Sequence, residues 1–504
     1  MTTNVYRYER PQLLKVEEKP HLKVAIVIAC RGGQEKLDLT VASLAAQNYP
    51  QKLINLYIVD DGSNPALKLP PVRPRSTKII KFKNTSSQWG KTDAVNFCTS
   101  KLKEDVLWFL DADMVVEPSH LSHHMKWHHH SDDFLVLGWK RFVENWTYDP
   151  KTLHQSLVQG KFSSLHGESF PKKSWEAIIE KTDDLQKPTL ESFRVVVGAS
   201  FSINRKIWVE LGGYNPEFHI GEDTEFGWRA LLAGVRLVPE HEALSWHLGN
   251  STIENNRQMI LQHNKPNFAH HIPNFGYLRD SLAIDWEVPE NEVLVDARHI
   301  SIDSFESVIT QFFIDDRGSA VFRVFGPWKE LRKRYSPTDD FYRDLREIRN
   351  YIGNDQRFVL ENIDGDKKLL IKEILDLISI ASTPFIFFVE GNLDPKISFS
   401  SLRGTLLSSG NGLEGIVDGE GFRTFGLYAP ALARAKRLEG PAYLNLEKSW
   451  GIRWREIREY DALHTPTRKS GSSPYRKAFR VIKRIRTFRD LSDLVKRVAR
   501  SLKR

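Results

Sequence analysis

Residues 106–116 read VLWFLDADMVV: five apolar residues run into two aspartates separated by one alanine, and the chain then turns apolar again. The first five have the continuous apolar character of a strand covered on both faces, and the acids fall where such a strand ends. Two carboxylates at i and i+2 point to the same side of the chain, where oxygen ligands suit a hard divalent cation such as Mg²⁺ or Mn²⁺. On its own the tripeptide reads more readily as a solvated turn, and its surroundings reverse that reading.

Upstream, KVAIVIAC (23–30) is another short apolar run, and EKLDLTVASLAAQ (35–47) spaces Leu37, Val41, Leu44 and Ala45 as one face of a helix. INLYIVDDGS (54–63) is a second strand ending in acid and turn residues, and GKTDAVNFCTSKL (90–102) reads as a helix before the strand already quoted. Strand, helix, strand, helix implies an α/β sandwich with a largely parallel sheet, whose ligands gather at the carboxyl ends of the strands. Asp60, Asp61, Asp111 and Asp113 all fall at such ends.

The 504 residues are too many for one ordinary core, and 40% apolar with 27% charged residues is the composition of a water-soluble fold. Residues 1–20 read as an extension, 21–275 as the first domain, 276–289 as a connector and 290–460 as a second α/β domain. In 461–504, TPTRKSGSSP breaks periodicity before a basic amphipathic tail. No apolar run reaches the roughly eighteen residues of a membrane span, and the first twenty residues carry charges where a signal peptide would be apolar, so a cytosolic chain is expected. Cys30 and Cys98, the two cysteines, read as packed thiols.

Charge is uneven. From 465 to 504 there are fourteen Lys and Arg against Asp490 and Asp493, a net +12 of the chain's +8, so that residues 1–464 carry −4. Val481, Ile485, Phe488, Leu491, Val495, Val498 and Leu502 lie near helical spacing among the basic residues. Such a helix suits an anionic bilayer at about 1 kcal/mol per basic residue near the surface, and nucleic acid is the disfavoured partner.

Downstream of the aspartates, VVVGASFSINRKIWVELGGYNPEFHIGEDTEFGWRALLAGVRLV (195–238) and SWHLG (245–249) complete a series of motifs with IVDDGS and QWGKTDAVN. In order and distance this series resembles the family 2 glycosyltransferases, inverting enzymes of the nucleotide-sugar-binding GT-A fold, and in particular the domains of bacterial capsule and chondroitin-type polysaccharide polymerases. The resemblance covers about residues 21–275. It implies that Asp61 accepts a hydrogen bond from a uracil imide while Asp60 holds the loop, that Lys91 faces donor phosphates or sugar, and that Asn96 secures the region of the helix start. Asp111 would reach ribose or metal, Asp113 would bind the ion most directly, and His247 would complete the metal shell. Asp223 matches the general base and Glu222 its orienting neighbour. The function implied is transfer of a sugar from a nucleotide sugar, with UDP preferred, to a hydroxyl of a glycan or lipid-linked acceptor in cell-surface polysaccharide synthesis, peripheral to the cytoplasmic face of the membrane. The competing reading is a non-catalytic nucleotide-sugar-binding or scaffold subunit, which should have lost part of the acid set.

Two further stretches carry expectations. HLSHHMKWHHH (120–130) places His120, His124 and His128 on one helical face; with no Cys or acid among them, a solvated helix is expected rather than a metal site. In the second half, STPFIFFVEGNLDP (382–395) lies over EDVLWFLDADMVVEP (104–118), with Glu390 and Asn392 in the places of Asp111 and Asp113, and FGLYAPALARAKRLEG parallels VGASFSINRKIWVELGG. Two readings stand, generic α/β similarity or a degenerate copy; a copy would have lost its cation site.

Overall fold

The computed structural model describes residues 14–83, 90–144, 146, 148–161, 173–249, 256–273, 279, 286–315, 319–365, 368–378, 383–391, 397–418, 421 and 423–457. Asn392 and the basic tail, about which the sequence raised expectations, lie outside the described residues.

The first half is built on eight strands: β1 Val24–Cys30, β2 Ile54–Asp60, β3 Thr77–Lys81, β4 Val106–Leu110, β5 Met114–Val116, β6 Phe134–Val143, β7 Ser200–Asn204 and β8 Arg236–Leu248. Their order across the sheet is β3-β2-β1-β4-β7-β6-β8-β5. The β3, β2, β1, β4 block is parallel, β7 runs against both β4 and β6, and β8 is parallel to β6. Alternate residues of β1 serve different cores, as the period of two requires. Val24, Ile26 and Ile28 pack with Leu37, Val41 and Leu44 of helix Gln34–Ala45, whereas Ala25 and Val27 pack with Ala94, Val95 and Cys98 of helix Lys91–Thr99. Helices thus cover both faces, and the expected α/β sandwich is observed. Both cysteines are buried and unpaired, and burial, their largest perturbation, pushes each thiol up to about 12.

The expected solvated histidine helix is corrected. In helix His120–His130 the side chains of His120, His124 and His128 are buried. His120 stacks on Trp108 and on His124, and its Nε2 lies 3.0 Å from Ser200 Oγ. His124 Nδ1 and His128 Nε2 each lie 2.8 Å from Ser202 Oγ. The serines of β7 supply polar partners that let neutral imidazoles fill a core.

The second half carries β9 Asn291–Asp296, β10 Ala320–Gly326, β11 Phe358–Asn362, β12 Phe385–Glu390, β13 Leu413–Val417, β14 Arg423–Tyr428 and β15 Ile452–Glu456, ordered β11-β10-β9-β12-β14-β13-β15. With β9 set on β1, this order and every strand direction repeat those of the first sheet as far as β8. The registers repeat too. Val106 pairs with Val24 and Asn204, and Phe385 pairs with Asn291 and Tyr428. Counting along the ladder, Glu390 takes the station of Asp111.

Through Glu456 the chain is one compact unit, and polar contacts join its halves. Helix Ala429–Arg437 meets the carboxyl end of helix Glu222–Leu232, where Arg437 Nε donates to the Ala233 carbonyl at 2.6 Å. Arg434 donates to buried Asp133, which also accepts from Arg236. Gly234, with φ +71°, passes so close that a Cβ would overlap the Arg434 backbone. No helix among the described residues is long and apolar enough to cross a membrane.

Candidate active site

The carboxyl ends of β1 and β4 open into a cleft of about 410 Å³ lined by, among others, Lys91, Asp111, Asp113, Glu222, Asp223 and His247. Asp111 follows β4 directly, its N–H bonded to the Ala199 carbonyl at 3.1 Å. Asp113 sits in the tight link to β5, which pairs Met114 with His247 of β8. That pairing brings together two acids and an imidazole separated by more than a hundred residues in sequence. One ligand atom from each of Asp111, Asp113 and His247 lies within 4.8 Å of the others.

His247 is set for lone-pair donation. Its Nδ1 lies 3.0 Å from the Gly249 carbonyl, which fixes the proton there and leaves Nε2 3.5 Å from Asp113 Oδ1. Phe142 stacks on the ring at 4.7 Å. Two carboxylates and one imidazole fit a divalent cation of the Mn²⁺ or Mg²⁺ type. Burial pushes the Asp113 carboxyl above its usual range, as does neighbouring Asp111, whereas His247 and Lys36 draw it back. Burial would also raise Asp111, yet the charges of Lys91 and His247 bring it below the ordinary value.

Across the cleft, Glu222 and Asp223 open helix Glu222–Leu232 after Gly221, whose φ of +90° makes the turn. Carboxylates in the first turn are stabilised by the free N–H groups there. Asp223 Oδ2 accepts from the Gly198 N–H at 2.6 Å, and Oδ1 accepts from the Thr224 N–H at 2.7 Å. Lys91 joins the two acidic groups: its Nζ lies 3.1 Å from Asp111 and 3.2 Å from Glu222. Burial raises Glu222 to about 7, partly offset by Lys91.

The other sequence-predicted residues lie behind this surface. Asp60 accepts from the N–H groups of Ser63 at 2.8 Å and Leu67 at 3.3 Å, which ties the loop after β2. Buried Asp61 accepts from the Gly90 N–H at 2.9 Å, immediately before Lys91. Asn96 bonds both the N–H and the carbonyl of Tyr214, in the turn after Gly213, at 3.0 and 2.8 Å. It therefore anchors that turn and does not line the cleft. Sequence reasoning missed Lys36, which reaches Asp113 at 3.9 Å and the Leu248 carbonyl at 2.7 Å, and it missed Gly198 and Phe142. The signal for Lys36 was its place three residues beyond the glycine pair that ends β1.

In the second half the corresponding strand ends are closed by arginines. Glu390 is buried and receives Arg423 Nε and Nη2, each at 2.9 Å, while Asp296 receives Arg298 Nε at 2.8 Å and Nη2 at 2.6 Å. A guanidinium thus lies against the acid at the station of Asp111.

Residues 25–207 match the family described as Glycosyl transferase family 2. Among curated proteins, the poly-beta-1,6-N-acetyl-D-glucosamine synthase of Staphylococcus epidermidis is 22% identical over 251 residues, covering 49% of this chain and 55% of the relative. The synthase of the same name from Staphylococcus aureus (strain COL) is 23% identical over 259 residues, 49% of this chain and 57% of the relative. The chain thus spans little more than half the length of these relatives. Among solved structures, the mannosyltransferase PcManGT from Pyrobaculum calidifontis in complex with GDP-Man and Mn²⁺ aligns with TM-score 0.35 and 12% identity over 52% of this chain and 68% of its own. TarS 1-349 of S. aureus in complex with UDP-GlcNAc aligns with TM-score 0.34 and 14% identity over 46% and 59%.

Proposed function

From the premise that the chain carries a family 2 glycosyltransferase domain, we propose that it is a metal-dependent, inverting glycosyltransferase that moves a sugar from a nucleotide sugar, UDP-linked by preference, to a hydroxyl of a glycan or lipid-linked acceptor in cell-surface polysaccharide synthesis. The observation that carries this reading is the facing of two chemically distinct acid groups across one cleft. Asp111 and Asp113 converge with His247, and Glu222 and Asp223 stand opposite.

Inverting transfer needs removal of a proton from the attacking hydroxyl and neutralisation of the departing diphosphate. Asp223, held by two backbone N–H groups, is the group that takes the proton. Glu222 orients a sugar hydroxyl beside it. Asp111, Asp113 and His247 would hold a divalent cation, whose positive charge would offset that of the leaving oxygens. Lys91, which spans Asp111 and Glu222, has its charge at hand for the same phosphates. Asp61 is the candidate partner of a uracil imide, and Asp60 and Asn96 hold the segments on which Asp61 and Lys91 depend.

The second half is read as a duplicate of the first that no longer takes a donor, because guanidinium groups neutralise the acids at its strand ends. The basic tail is proposed to hold the protein at the cytoplasmic face of an anionic membrane. Incubating the full chain with a panel of nucleotide sugars and Mn²⁺ tests the activity: release of nucleoside diphosphate that EDTA abolishes is expected, and metal-independent release would overturn the ion's role. Flotation with anionic vesicles, with and without residues 465–504, tests the membrane assignment.

A further inference from the structure

Strand β6 changes register at Gly138/Trp139, so that beyond the irregularity Lys140 pairs with Ser245 and Phe142 with His247. Residues two apart on a strand share a face. Phe142 lines the cleft, and Lys140 stands one step deeper along the same face, 3% exposed, with its ammonium 4.6 Å from the centre of the Trp175 ring. Among the described residues it donates no hydrogen bond and forms no ion pair within 4 Å. The two lysines that line the cleft are engaged: Lys91 by Asp111 and Glu222, Lys36 by the Leu248 carbonyl.

An ammonium withdrawn from water without a hydrogen-bonded anion costs free energy, which an anion brought by a ligand would offset. The Trp175 face offsets part of that cost. Asp223, Asp111 and Glu176 act on Lys140 only through space; burial, the largest influence, lowers its pKa to about 8. Lys173 lies over Phe142 at 4.5 Å, a second cation on the same wall.

We propose that Lys140 is the cationic end of a subsite for an oxyanion carried by the substrate, either a phosphate of the donor or the carboxylate of an acidic sugar. An oxygen anion at this depth would complete the ammonium's hydrogen bonding. The assignment rests on the glycosyltransferase reading.

The test uses the full chain, wild type beside Lys140→Met, which keeps length and removes charge, and Lys140→Arg, which keeps charge. Calorimetry measures binding of UDP or GDP, whichever the wild type takes with Mn²⁺, and of glucuronate against glucose. A loss of about tenfold or more in nucleoside diphosphate binding by Lys140→Met, with Lys140→Arg much less affected, assigns the subsite to phosphate. The same pattern confined to glucuronate assigns it to a carboxylate. If the wild type binds the nucleoside diphosphate and Lys140→Met binds both probes equally well, the subsite is overturned while the glycosyltransferase reading stands. A wild type that holds neither probe takes both readings down. Should Lys140→Met fail to fold, reductive methylation of the wild type decides: protection of Lys140 by the bound probe supports the subsite, and equal labelling with and without it overturns it.

Discussion

The Gly198 main-chain N–H points at Asp223 Oδ2 across 2.6 Å, so the candidate base is oriented by backbone from a different segment of the chain. A Cβ at residue 198 would lie 3.3 Å from that oxygen and from Lys91 Nζ, which leaves little room for any larger residue. Asp223→Asn keeps an oxygen for the Gly198 N–H and loses the ability to take a proton. Transfer is expected to fall by roughly 10² or more with donor binding preserved, read by single-turnover transfer beside calorimetry of the nucleoside diphosphate. Transfer at the wild-type rate would move the base elsewhere.

Asp113→Asn removes one of the two charges converging with His247 while retaining shape. Donor turnover is expected to be lost without a change in the thermal midpoint of the metal-free protein, and Mn²⁺ titration should show affinity weakened by at least about tenfold. Full turnover of this variant in EDTA-treated buffer would remove the ion from the mechanism.

Ser202 Oγ serves two buried imidazoles, those of His124 and His128. Ser202→Ala leaves both ring nitrogens without this partner and is expected to destabilise the chain by about 2 kcal/mol or more, measured by urea unfolding. The same ladder sets a pH dependence. Burial lowers His120 and His128 to about 3, well below the ordinary value of 6.5. The unfolded chain therefore binds protons first as pH falls. The contribution is intact above about pH 6.5 and is lost progressively from there toward pH 3, on the order of 1 kcal/mol per ring per pH unit. Stability that stays flat between pH 6.5 and 4.5 would contradict the burial of neutral rings.

Glu390→Gln breaks the paired Arg423 contact and is expected to destabilise the second half by about 3 kcal/mol, the scale of a buried charge left alone. The Mn²⁺ requirement and donor turnover should be unchanged. A shift in Mn²⁺ affinity would show that the second half still handles an ion.

Much of the candidate site was legible because its acids sit at strand ends, where apolar runs announce them: Asp60 and Asp61 at the end of β2, Asp111 and Asp113 after β4. His247 required the resemblance, since nothing in its local sequence tells that β8 pairs with β5. The histidine helix was misjudged because the partners that make its burial possible, Ser200 and Ser202, lie seventy or more residues away and look like ordinary strand serines. Arg423 was equally silent: a guanidinium two residues before a Phe-Gly-Leu strand core shows no sign of which carboxylate it faces. Lys140 reads in sequence as one more basic residue in WKRF, and only the register change at Gly138 turns it inward.

Helix Glu222–Leu232 offers its amino end to chemistry, and the carbonyl just past its other end is bonded by Arg437 from the later half. The helix is therefore a beam with supports of different origin, one in each sheet system. The two halves are not interchangeable modules: a chain cut at the connector would retain every acid of the cleft yet leave Asp133 without Arg434, the Ala233 carbonyl without Arg437, and Gly234 with nothing to press against. The later half is in this way the abutment against which the half that carries the cleft is braced.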